Sequence, residues 1–167
     1  YAFGYDPNIW SGASWALFIM DPVTQTIEEK ILQDETFPFV YDMTYDYATS
    51  TMYAMAGPSD NDADLYIVNM ETGELTLFME TEQFFMSIAA GPDGKLYAMQ
   101  NSQEELLGYD EFGWEIYGFG NAQLYTIDPM TKSVEYLGDT GVKSNMIASM
   151  TYDYDTDMLY WTPVFRE

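Results

Sequence analysis

Short runs of apolar and polar residues, cut by turn-forming residues, recur along this chain. Leu17-Phe-Ile-Met-Asp-Pro-Val-Thr-Gln25 is one such stretch. Leu65-Tyr-Ile-Val-Asn-Met-Glu-Thr-Gly73 and Leu124-Tyr-Thr-Ile-Asp-Pro-Met-Thr-Lys132 repeat its pattern. Each reads as a strand that opens on Leu and an aromatic, then a turn led by Asp or Asn with Thr at a fixed place. A second β-like run follows each: Thr26 to Leu32, Glu74 to Met79 and Ser133 to Leu137. Self-similarity at this spacing marks a repeat architecture. In the first unit two more strands are predicted, about Phe39–Tyr45 and Thr51–Met55. The units are expected over about 15–55, 65–99 and 124–162, each of four short strands. Tyr1-Ala2-Phe3 matches Tyr53-Ala54-Met55 and Tyr97-Ala98-Met99, the ends of later strands. An orphan strand is therefore expected at the N-terminus, with the chain beginning inside it. Gly91-Pro92-Asp93-Gly94 supplies the residues of a hairpin turn. Residues 4–14 and 101–121 read as long connecting loops rich in aromatics.

Four-stranded units repeated at this length describe β-propeller blades. The expected fold is all-β: a propeller-like array of about three four-stranded antiparallel blades plus the orphan strand, in one segment over 1–167. A β-sandwich also accommodates twelve strands, but it does not require the same turn three times. Units one and three share details that unit two lacks. Met43-Thr-Tyr-Asp-Tyr47 returns as Met150-Thr-Tyr-Asp-Tyr154, and Asp21-Pro22 as Asp128-Pro129, both at an offset of 107. Gly4-Tyr5-Asp6 with Trp10 returns as Gly108-Tyr109-Asp110 with Trp114, at an offset of 104. This implies a two-blade super-repeat and a parent of six or eight blades. Three blades do not close a ring of the usual four to eight. The chain is thus expected to be part of a larger propeller, to pair with a second copy, or to polymerise through open blade faces.

The pattern Leu-Tyr-x-Ile-Asp-Pro-x-Thr at Leu124–Thr131, with Met-Thr-Tyr-Asp-x-x-Thr-x-x-Leu-Tyr at Met150–Tyr160, resembles the blades of bacterial extracellular β-propeller proteins. The resemblance covers nearly the whole chain outside the two aromatic loops. It implies placement outside the cell or on its surface, inside a multidomain secreted or surface protein. Its motifs specify blades and assign no active site.

Charge narrows the partners. Twenty-eight Asp and Glu face five Lys and Arg, a net charge of −23. Such a surface repels nucleic acid and anionic membrane and favours cations. The longest apolar run, Trp15 to Met20, is six residues, far short of a membrane span. No signal peptide is visible at the N-terminus. Without Cys or His there is no disulfide, thiolate zinc site, Ser-His-Asp triad or histidine acid–base chemistry within the chain.

Two constellations are candidates for binding. The repeated Gly-Tyr-Asp-x-x-x-Trp places Tyr5, Asp6 and Trp10 in one connecting loop and Tyr109, Asp110 and Trp114 in the other. With Phe112 and Tyr117, these aromatics suit stacking on sugar rings or gripping a peptide. The alternative is that they cap the neighbouring blade. Asp60, Asp62 and Asp64 resemble the start of a calcium loop, with Glu71 at the twelfth position. Leu65 stands where an EF-hand needs Gly, which excludes that motif. A looser Ca²⁺ site and a solvated acidic turn both remain open, as they do for Asp153, Asp155 and Asp157. Glycoside hydrolysis by paired carboxylates is the enzymatic alternative. No pair stands out among so many acids, and Arg166 alone does not make an arginine cluster for binding a carboxylate. We therefore expect a non-catalytic binding or assembly segment, with a protein or glycan ligand and no cofactor beyond Ca²⁺. Part of a carbohydrate-active propeller enzyme and a polymerising structural subunit are the alternatives.

Overall fold

The structure is a computed structural model. It describes residues 1–5, 15–32, 38–59 and 62–166; for Tyr5, Trp15, residues 28–32, Pro58, Ser59 and Asp62 it describes the backbone alone.

All regular structure in the described residues is β. In chain order the strands are β1 (Ala2–Tyr5), β2 (Trp15–Asp21), β3 (Thr26–Leu32), β4 (Phe39–Asp46), β5 (Thr51–Ser59), β6 (Asp62–Val68) and β7 (Leu75–Met79). They continue with β8 (Phe85–Ala90), β9 (Leu96–Gln100), β10 (Glu104–Tyr109), β11 (Glu115–Phe119), β12 (Gln123–Asp128), β13 (Ser133–Asp139), β14 (Met150–Asp153) and β15 (Met158–Trp161).

One local device makes five of the hairpins. Asp21, Asp46, Asn69, Asp128 and Asp153 each accept the backbone N–H two residues on, at 2.7–2.9 Å. The Thr three residues on donates its hydroxyl to the second carboxylate oxygen of Asp21, Asp46 and Asp153, at 2.6–2.9 Å. The next residue reverses the chain at positive φ: Gln25 at 59°, Ser50 at 55°, Gly73 at 73°, Lys132 at 54° and Asp157 at 57°. Asp and Asn favour such turns because their side chains bond the backbone two residues ahead. Gly91-Pro-Asp-Gly94 turns β8 into β9 as expected, with Gly94 at φ 77° and Gly91 N–H bonded to Lys95 C=O at 2.8 Å.

The sheets do not coincide with the sequence units. The pairing orders are β1-β2-β3, β4-β5-β6-β7, β8-β9-β12-β13 and β14-β15, all antiparallel, with β10-β11 as a separate hairpin. Each four-stranded sheet joins the second half of one unit to the first half of the next. The boundaries at 15–55, 65–99 and 124–162 are therefore out of phase with the sheets by one hairpin. A repeat fixes the period, but the point at which a period is cut is arbitrary in sequence. Only pairing decides it. The orphan strand keeps its predicted identity: Ala2 faces Phe18 in the same register in which Ala54 faces Tyr66 and Ala98 faces Tyr125.

The sheets stack in chain order. Along β5 the side chains alternate between two cores. Tyr53 and Met55 join Leu65, Phe85, Ile88, Leu96 and Ile127 between the two four-stranded sheets. Met52, Ala54 and Ala56 join Val68 on the opposite face, against which Phe3 packs. A third cluster, Ala89, Met99, Ala122 and Met150, joins the second four-stranded sheet to Tyr152, Leu159 and Trp161 of the β14-β15 pair. A strand buried on both faces alternates between two apolar environments instead of between core and water. The described residues form an open series of sheets and do not close into a ring.

The terminal strands β4, β8 and β14 lie side by side, each with a partner strand on one edge only among the described residues. Their unpaired N–H groups need acceptors. Thr44 Oγ1 accepts from Ala90 N–H at 2.9 Å, and Asp42 Oδ2 accepts from Ile88 N–H at 3.0 Å. Side chains of one sheet thus cover the backbone edge of the next.

Candidate functional site

Residues 101–121, expected as a loop, contain the β10-β11 hairpin instead. Its turn is built from Asp110-Glu-Phe-Gly113. Asp110 N–H bonds Trp114 C=O at 2.9 Å, Gly113 N–H bonds Asp110 C=O at 3.1 Å, and Gly113 adopts φ 84°. A three-residue hairpin loop uses Gly at that left-handed position. The Asp110 carboxylate accepts from Phe112 N–H at 2.9 Å and Trp114 N–H at 2.8 Å. Asp110 therefore sets the turn, with one carboxylate oxygen engaged by two backbone donors.

The aromatics of this motif point to water. Trp114 is 74% exposed and Phe112 78%, and Tyr109, Leu107, Tyr117, Leu106 and Ile116 are exposed as well. Among the described residues they pack under no neighbouring sheet. Tyr5 contributes its backbone to β1, opposite Trp15. Asp6 and Trp10 lie outside the described residues.

Register sorts the hairpin into two faces. Glu104 pairs with Phe119, Leu106 with Tyr117, and Tyr109 with Glu115, so these six share one face. A bulge follows Leu106 and sends Leu107 to the other face, over Gly118. On the first face Tyr117 donates its hydroxyl to Glu115 Oε2 at 2.7 Å. That bond, some burial and the nearby Glu104 charge together raise the Tyr117 pKa.

This face descends into a cleft of about 620 Å³. Phe39, Tyr41, Phe84, Met86 and Phe119 form its apolar wall with Met146 and Ile147; Asn101, Ser102, Gln103, Glu104 and Asn145 complete it. The Tyr41 ring lies 4.8 Å from Phe39 and meets Phe84 edge-on at 5.1 Å. Phe119 meets Phe165 at 5.8 Å. Asn101, 4% exposed, donates to Met86 Sδ at 2.8 Å and to Met146 C=O at 2.9 Å, while its Oδ1 has no partner among the described residues. Nothing in the local pattern pointed to this cleft. Its residues come from five separate stretches of chain, two of them within the segment read as a connecting loop.

The calcium candidates fare differently from one another. Asp64 Oδ1 accepts from Thr81 N–H at 2.8 Å, and Thr81 Oγ1 donates to Ala63 C=O at 2.6 Å, so this carboxylate anchors the chain after β7. Asp60 lies outside the described residues, and Asp62 is described by backbone only, in β6. Among the described residues no group of three or more acids is arranged to hold a metal ion. Asp153 caps its turn, which fits the acidic-turn reading.

One half-buried acid went unremarked in the sequence. Asp42 sits where β4, β8 and β14 meet. Burial pushes its pKa up to about 7, against the opposing pull of the Ile88, Met43 and Met150 N–H groups. The signal was an Asp within the apolar run Phe39–Tyr45, one residue before the repeated Met-Thr-Tyr-Asp.

No protein-family model matches the chain, and no curated protein matches it. Among the described residues no helix is long and apolar enough to cross a membrane.

Proposed function

We propose that this chain is a non-catalytic binding segment of a bacterial surface or secreted protein built from propeller-like blades. The β10-β11 hairpin and the cleft at its base are its contact surface. The observation that carries this reading is the exposure of seven large apolar side chains on one two-stranded hairpin: Leu106, Leu107, Tyr109, Phe112, Trp114, Ile116 and Tyr117. An isolated hairpin is marginally stable in water, and an exposed apolar cluster of this kind marks an interaction site. The ligand is a protein or a glycan. The stacking of sheets and the common register of β1, β5 and β9 against β2, β6 and β12 support the blade reading. Extracellular placement rests on the resemblance of the repeats.

The test is a panel of immobilised glycans and peptides probed with the wild-type chain and with Trp114→Ala, Tyr109→Ala and Tyr117→Ala. Loss of a bound ligand in these variants, with circular dichroism unchanged, supports the hairpin as the contact. Undiminished binding in all three discards it. Turnover of a glycan by the wild-type chain would replace this reading with the enzymatic one.

A second reading concerns assembly. The β9 edge that pairs with β12 corresponds in β15 to an edge with no strand beside it among the described residues. A further hairpin of the β12-β13 type fits that edge, supplied in cis or by another copy. Sedimentation that shows a concentration-dependent mass for the isolated chain would favour another copy. An unchanging monomer would favour blades in cis.

A further inference from the structure

Resting on the hairpin face as a contact surface, we propose that the cleft binds the cationic side chain of a basic polypeptide segment. An Arg or Lys head enters between the aromatic rings, and neighbouring basic residues lie along Glu104 and Glu115.

The cleft presents acceptors and rings. Phe39, Tyr41, Phe84 and Phe119 contribute four aromatic rings to one wall. Tyr41 and Phe84 stand at 89° to one another, which makes a corner and not a flat stack. The faces of aromatic rings attract ammonium and guanidinium groups, more strongly where water is excluded. The polar groups complement this. Asn101 Oδ1 has no partner among the described residues and is closed to solvent, so a shift of the side chain brings it to a donor in the cleft. Asn145 is already committed, since it donates to Arg166 C=O and accepts from Arg166 N–H. Gln103 spends one of its two amide N–H donors on Asn101 C=O at 2.9 Å. The acceptor left over beside the cleft, Asn101 Oδ1, calls for a donor.

Charge points the same way. Glu104 is at the rim, and on the same face the Glu104 and Glu115 carboxylates flank the Tyr117 hydroxyl. Glu104 faces Phe119 and Glu115 faces Tyr109, so the two carboxylates are spaced along one face, where a cationic chain can lie. The chain as a whole carries −23, so a second copy of this acidic face is disfavoured as the occupant and a basic partner is drawn in. The aromatic shell already accepts cations at two places. Lys132 Nζ lies 4.6 Å over Phe78, and Lys143 Nζ lies 5.7 Å over Phe165, the ring that meets Phe119. The extended hairpin offers a track for the rest of the segment.

The experiment is calorimetric titration of the full chain with capped penta-arginine and with capped penta-glutamine as the neutral control. Wild type is compared with Glu104→Gln, Phe119→Leu and Glu135→Gln. Glu135 lies on β13, outside the cleft, and its replacement changes the net charge equally. The expected result is binding of penta-arginine only, weakened about tenfold by Glu104→Gln and by Phe119→Leu, and unmoved by Glu135→Gln. The Asn101 side-chain amide resonance should shift on titration of the wild-type chain. Equal weakening by Glu104→Gln and Glu135→Gln would reduce the effect to general polyanion attraction and overturn the proposal. So would an Asn101 amide that does not move. If penta-arginine fails while Trp114→Ala still abolishes capture of a panel ligand, the surface stands and the cation falls. If no hairpin variant changes any binding, both fall.

Discussion

Asp42→Asn tests the most informative electrostatic feature of the molecule. The wild-type carboxyl has a pKa of about 7 in the folded chain against an ordinary 3.8. Between those values the folded state holds the proton and the unfolded state has released it. Stability therefore falls as pH rises through this window and levels off above about pH 7. A separation of about three pKa units corresponds to ~4 kcal/mol at 1.36 kcal/mol each. Solvent reaching a half-buried side chain trims this to ~2–4 kcal/mol. The amide introduced by Asp42→Asn keeps an oxygen for the Ile88 or Met43 N–H but does not titrate. The variant should match wild type near pH 4 and exceed it by ~2–4 kcal/mol at pH 8, or roughly 5–15 °C in Tm for a chain of this size. Urea and thermal melts at constant ionic strength from pH 4 to 8 measure the difference. Subtracting the variant also removes most of the background from the net charge. A wild-type-minus-variant difference that is flat across pH, or an Asp42 carboxyl that titrates near 3.8 by carbon-detected NMR, would refute the reasoning.

Other consequences follow from the turns and the core. Asp21, Asp128 and Asp153 have pKa values lowered by the N–H and hydroxyl donors of their own turns. Their contribution is present above pH ~3.8 and is lost as pH falls through their folded values, so acid melts should show a fall in stability below the pH 4 region. Asp46 is fully buried, and it holds Ala48 N–H at 2.9 Å and the Thr49 hydroxyl at 2.6 Å. Asp46→Ala should cost about 2–3 kcal/mol in urea melts, and Asp153→Ala, where water replaces the lost bonds, should cost less. Leu65→Ala empties a fully buried site between the two four-stranded sheets and should cost about 2–5 kcal/mol. Gln25→Gly relieves a side chain held at φ 59° and should raise stability by about 0.5–1 kcal/mol.

The strands were legible because their signals are local. Leu-aromatic-apolar runs and the Asp-x-x-Thr turn depend on residues within a few positions of one another, so β2, β6 and β12 and their turns appear where the repeat put them. The hairpin β10-β11 was missed for a local reason too. Glu104 to Phe119 is exposed on both faces, so it lacks the alternation that marks a half-buried strand, and its bulge at Leu107 breaks the period. Exposure also separated the roles within Gly108-Tyr-Asp-x-x-x-Trp114. Sequence spacing picked out Tyr109, Asp110 and Trp114 together, but hydrogen bonds assign Asp110 to the turn and leave the two rings to solvent.

By itself the sequence determined the all-β class, the turn chemistry, the kinship of Tyr1-Ala-Phe with later strands and the net negative charge, because propensity, spacing and charge are properties of the chain alone. Which hairpins share a sheet, where Asp42 lies and how residues from five stretches meet around one cleft were decided only by tertiary structure. Pairing of strand edges and burial between sheets are long-range choices, and no window of sequence contains both partners.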